Sequence, residues 1–272
     1  VKSKKGELNM PTIIDSKPSP EFIPINLAAV YNRNGASFSG EELFDESLTG
    51  KDISLTGENV IRGIPFRLGD AGKSNVLFLR DSEVVFNLDA PIKCRYLVFI
   101  HTAVAKRPVP DEDGITRPSR GRIILGDKVA DYQLIYEDGP VQSIPIRRRF
   151  AVGEMRKDWG DECFEAVPLG KPMAVLTTSE RTSAGEPPGG FFGWSQTRVG
   201  FDPSEYSVPV KYWVYALENQ KAEQAITGVK FVPADGALLI LGLTITSLEE
   251  NPLRWAVSYT HLRAHETGRK LV

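Results

Sequence analysis

The chain has 272 residues, 41% of them hydrophobic, so it can bury a core large enough to fold without disulfide or metal staples. Its 33 basic residues nearly balance 35 acidic ones, which removes any bulk electrostatic case for nucleic acid or an anionic membrane surface as partner. No apolar run approaches the roughly eighteen residues of a membrane-spanning helix, and two cysteines, Cys94 and Cys163, are too few for a disulfide framework or a zinc ribbon. They could pair with each other or remain thiols.

Residues 1–19 are rich in Lys, Ser and Pro and read as a linker or arm. The chain starts Val-Lys-Ser-Lys-Lys without Met, as if cut from a longer reading frame that could have carried a secretion signal. A β-sandwich domain is expected over 20–247, opening with a strand at 22–27 whose Pro24 suits a sheet edge. Further short runs rich in Val, Ile, Leu and aromatics stand at 60–68, 75–79, 84–88, 94–101, 122–125, 129–136, 141–146, 210–217, 226–232 and 237–246. Each is bounded by Gly, Pro, Asp or Asn, and none has the length or periodicity of a helix. The expected fold is therefore all-β, a two-sheet jelly-roll sandwich of about ten or eleven strands with long loops.

The clearest local signal is 129–146. Tyr132, Leu134 and Tyr136 alternate with Asp131 and Gln133, and Asp138-Gly139 then offers a type I′ turn into a second strand. Arg147-Arg148-Arg149 follows and reads as a solvated strand end.

Several motifs suggest chemistry and fall short of it. Gly69-Asp70-Ala71-Gly72-Lys73-Ser74 has the ending of a phosphate-binding loop, but Arg67 stands where the first glycine belongs and a strand follows, so a hairpin loop is expected. The loop acids Asp111, Glu112, Asp113, Asp158, Asp161 and Glu162 could hydrolyse a glycosidic bond if two converge, could hold a structural calcium ion, or could simply be solvated. His101 is the one histidine before the tail; it closes an apolar strand and reads as a core or sheet-edge residue, with ligand contact as the alternative.

Loop aromatics are the better binding candidates. Trp159, Phe191, Phe192 and Trp194 lie in loop regions, the last three inside the longest loop, 177–209. A large ring there either plugs the open end of the sandwich or stacks on a flat ligand such as a sugar. The candidate ligand-binding set is thus Trp159, Phe191, Phe192, Trp194 and His101, with no catalytic residue and no cofactor beyond a structural calcium.

Four segments in order, IRGIPF at 61–66, RYLVFIHTA at 95–103, DYQLIYEDG at 131–139 and WVYALEN at 213–219, resemble the galactose-binding-domain-like β-sandwich modules attached to large bacterial secreted hydrolases. The resemblance spans about 22–246 and departs from the group at Asp158-Trp159-Gly160, where a Trp-Trp pair is common. It implies a non-catalytic accessory module of a secreted or cell-envelope protein, with glycan as ligand and a catalytic domain on the same uncut chain. A β-sandwich glycosidase or lyase, and a spacer or protein-interaction module, are the alternatives. Residues 248–255 then read as a linker to a further domain. Within 256–272, SYTHLRAHET looks like translated sequencing-adapter read-through, so its His261 and His265 are set aside as metal ligands.

Overall fold

A computed structural model describes residues 13–14, 16–39, 42, 55–104, 125–157, 163–169, 208–209 and 212–253. Over these the protein is an all-β sandwich. Its strands are β1 (Phe22–Ile25), β2 (Glu58–Ile61), β3 (Ile64–Arg67), β4 (Leu77–Leu79), β5 (Val84–Ile92), β6 (Tyr96–Ala103), β7 (Lys128–Tyr136), β8 (Val141–Arg147), β9 (Arg156–Lys157), β10 (Val167–Pro168), β11 (Val208–Pro209), β12 (Trp213–Glu218), β13 (Ile226–Pro233) and β14 (Leu238–Thr246). The only helical element among the described residues is a single 3-10 turn at Gly35–Ser37, and no helix there is long and apolar enough to cross a membrane.

Two antiparallel sheets make the sandwich. The first runs β1-β14-β6-β12-β10, with β4 pairing β14 beyond the end of β1; the second runs β5-β13-β7-β8. Passing from β4 to β5, β5 to β6, β6 to β7, β12 to β13 and β13 to β14 crosses from one sheet to the other, whereas β7 to β8 is a hairpin within the second sheet. The main core lies between them, where Phe99, Trp213, Leu217 and Ile240 of the first sheet meet Tyr132, Leu134, Val229 and Phe231 of the second.

The first sheet is also covered on its other face. There Val98, Ile100, Val214 and Leu239 pack against Ile61, Ile64 and Phe66 of the β2-β3 hairpin. Every residue of β6 and β14 is consequently buried, so these strands carry near-continuous apolar sequence instead of alternation. The second sheet has one wet face, and β7 alternates buried and part-exposed residues from Ala130 to Tyr136 as its sequence does.

Two turns differ from expectation. Asp138-Gly139 is not type I′: Gly139 has φ +96° but Asp138 is not in the left-handed region. Gly139 N–H donates to Tyr136 O (3.1 Å) and Tyr136 N–H to Pro140 O (3.2 Å), the pattern of a type I turn closed by a left-handed glycine. The 60–68 run, expected as one strand, is instead the β2-β3 hairpin. Arg62 and Gly63, with φ +55° and +79°, form its two-residue turn with the type I′ signs. The 69–74 loop is no hairpin, because β3 pairs β2 while β4 pairs β14. Pro24 does lie on a strand paired on one side only, and Pro145 lies on β8, the edge of the second sheet, where a missing N–H leaves no ladder bond broken.

Candidate functional site

Of the expected binding residues, Trp159, Phe191, Phe192 and Trp194 lie outside the described residues, as do Asp111, Glu112, Asp113, Asp158, Asp161 and Glu162. Among the described residues no group of three or more His, Cys, Asp or Glu side chains could hold a metal ion. The 258–267 tail segment is likewise outside them.

His101 is in the core, with none of its surface exposed. It faces the interior of the sandwich because β6 alternates Leu97, Phe99 and His101 toward the second sheet. Its Nε2 lies 3.0 Å from Ala151 O and its Nδ1 2.8 Å from Tyr132 Oη. A carbonyl only accepts, so Nε2 carries the proton and Nδ1 accepts from the Tyr132 hydroxyl. The ring stacks on Tyr215, with centroids 5.9 Å apart and planes 6° from parallel. Burial lowers its pKa to about 4, although the Ala151 carbonyl favours the charged form. A neutral imidazole with both nitrogens engaged is a structural bridge between the sheets.

The arginine triplet splits along the strand. Arg147 is exposed, but Arg148 is buried, where Nη1 donates to Glu154 Oε1 (2.8 Å) and Nη2 to Val104 O (3.0 Å). This pair, 1% and 5% exposed, corrects the expectation of a solvated strand end. Its surroundings are locked by packing: Trp213 Nε1 donates to Glu154 O at 2.9 Å, and a Cβ at Gly153 would stand 2.4 Å from the Trp213 ring. Buried charge here is held by its partner and by backbone, which is an architectural role.

Neither cysteine forms a disulfide. Cys94 borders a pocket of about 300 Å³ shared with Glu21, Lys93 and Leu248 at the β1-β14 edge. Burial pushes its thiol up to about 12, so it is protonated and unreactive near neutrality.

One aromatic pair escaped the sequence reading. Phe150 and Phe164 have ring centroids 5.2 Å apart at 42°, and Phe164 is 67% exposed. The signal was present, since Phe164 sits close to Trp159 in the sequence, outside the runs expected as strands.

Compared with protein-family models, curated proteins and solved structures, the chain matches none.

Proposed function

We propose that this chain is a non-catalytic accessory module of a secreted or cell-envelope carbohydrate-active hydrolase, a jelly-roll sandwich that binds glycan weakly through loop aromatics. The observation supporting this most is the strand order, in which β4-β14-β6-β12 faces β5-β13-β7-β8 and every described connection between consecutive strands of this set except β7 to β8 changes sheets. This order supports the jelly-roll reading, in which two Greek keys interlock. Such a scaffold fills its interior and leaves its connecting loops for recognition. The imidazole at His101 and the guanidinium at Arg148 are both bound within the packing, which leaves binding to the loops. Exposed rings on loops can stack on the apolar face of a pyranose, an interaction without any need for a titrating group.

The test is affinity electrophoresis of the full chain through gels containing barley β-glucan, xylan or galactan. Retardation by at least one is expected, with Trp194→Ala weakening binding by about 1–3 kcal/mol, by analogy with ring stacking on other flat ligands, at unchanged melting temperature. Release of reducing ends from any of these polysaccharides would replace the reading with an enzymatic one.

A further inference from the structure

We propose that Phe164, braced by Phe150, is a pyranose-stacking platform at the end of the sandwich near the β8 terminus. This rests on the glycan-binding reading and names a subsite for it.

Among the described residues, Phe164 is the one aromatic in the set of large hydrophobic side chains left well exposed, at 67%. An isolated exposed leucine or valine is ordinary on a protein surface. This ring is not isolated: Phe150 lies 5.2 Å away, Gly126 passes beside the Phe150 ring, and its neighbour Leu125 is 53% exposed. The two rings form one apolar spot.

The spot is held in place by backbone. Phe164 N–H donates to Arg149 O at 2.9 Å, while Glu165 and Ala166 N–H both donate to Phe150 O at 3.1 Å. On the other side, the N–H groups of Phe150, Ala151 and Val152 all donate to Arg147 O, and Arg149 takes φ +63°, a left-handed conformation that costs a non-glycine residue about 1 kcal/mol. The ring is thus presented on an ordered double turn, so little entropy is lost when a ligand settles on it. Exposed Arg147 and Glu165 flank this turn in sequence, a cation and a carboxylate that can donate to and accept from ring hydroxyls.

Size selects the occupant. One exposed phenyl face with its brace offers on the order of 100 Å², against about 800 Å² per side for a stable protein interface. A protein partner would find too little to hold, whereas one or two sugar rings fit. The apolar C–H face of a pyranose covers a phenyl ring, and its hydroxyls project to the rim.

The experiment compares wild type, Phe164→Ala, Phe164→Trp and Trp194→Ala on the same β-glucan, xylan and galactan gels, with melting temperatures measured in parallel. The platform predicts that Phe164→Ala loses binding tenfold or more at unchanged melting temperature and that Phe164→Trp retains it. Wild-type retardation that Phe164→Ala leaves intact while Trp194→Ala abolishes it would overturn the platform and keep the glycan reading. No retardation of the wild type on any gel would overturn both. A drop of many degrees in Phe164→Ala would show a packing role and overturn the platform as well.

Discussion

The two sheets of this sandwich solve the same problem under different constraints. The first, β1-β14-β6-β12-β10, is covered on both faces along β6 and β14, and each polar group there needs a partner inside the protein. Thr244 Oγ1 donates to Pro65 O at 2.6 Å, Thr246 Oγ1 to Glu21 O at 2.9 Å, and Tyr31 Oη reaches over to Leu241 O at 2.6 Å, where β14 bulges. The second sheet has a wet face carrying Val85, Gln133 and Lys230, and Lys230 meets Glu83 there at 2.7 Å with water available to both. What the contrast teaches is that polarity is structural in the first sheet and incidental on the outer face of the second. An unpaired buried donor or acceptor costs about 1–3 kcal/mol, while an exposed ion pair contributes about 0–1 kcal/mol.

Substitution breaks this contrast most visibly in the core. Phe99 of β6 meets Tyr132 at 4.7 Å and Phe231 at 6.2 Å between ring centroids, so Phe99→Ala should lower stability by about 3–5 kcal/mol. Val85 on the wet face is 44% exposed, and Val85→Ala should change stability by less than about 0.5 kcal/mol. Urea unfolding of the two variants measures the difference; equal losses would mean the second sheet is covered in solution.

Acid should act next in size. The pKa of His101 is depressed to about 4 in the folded chain against an ordinary 6.5, so below pH 6.5 the unfolded chain binds the proton first. Stability should therefore fall as pH drops from 6.5 to 4, by about 3 kcal/mol in all from this group, and level off below. His101→Gln, whatever its own stability, should remove that segment of the pH dependence. The groups facing the imidazole, Tyr132 and Tyr215, are both pushed upward by burial and stay neutral across this range.

A smaller loss than that of the core or of acid belongs to the turn of the second sheet. Gly139 has open space around it, so Gly139→Val meets only the strain of φ +96°, about 1 kcal/mol, readable as a lower melting temperature. No change would mean the turn can relax to another form.

These same features explain what was legible beforehand. β7 and β8 could be read because one wet face imposes alternation, as at Tyr132, Leu134 and Tyr136. β6 and β14 could be read as apolar runs, but a run does not say which faces are covered, so the second core under β2-β3 was invisible. The β2-β3 turn was missed because Arg62 is not a residue type that advertises a left-handed φ; the flanking hairpin imposes it. β5 continues past 88 through Pro91 to Ile92, since an edge strand tolerates a missing donor. Arg148 read as solvated because its neighbours Arg147 and Arg149 are charged too, and only the fold brings Glu154 and the Val104 carbonyl to it. At the candidate site, the criterion of a ring on a loop found Trp159, Phe191, Phe192 and Trp194, while Phe164 met the same criterion and was passed over.

The central claim is that the sandwich interior is a closed scaffold and that recognition belongs to the loops at its ends. Amide shift mapping of the ¹⁵N-labelled chain, titrated with the polysaccharide that retards it, tests this directly. The account predicts shifts at Arg149, Phe150, Phe164, Glu165 and other loop amides, with those of β6 and β14 unmoved. Shifts centred on β6 around His101, or across the wet face of the second sheet at Gln133 and Lys230, would contradict it.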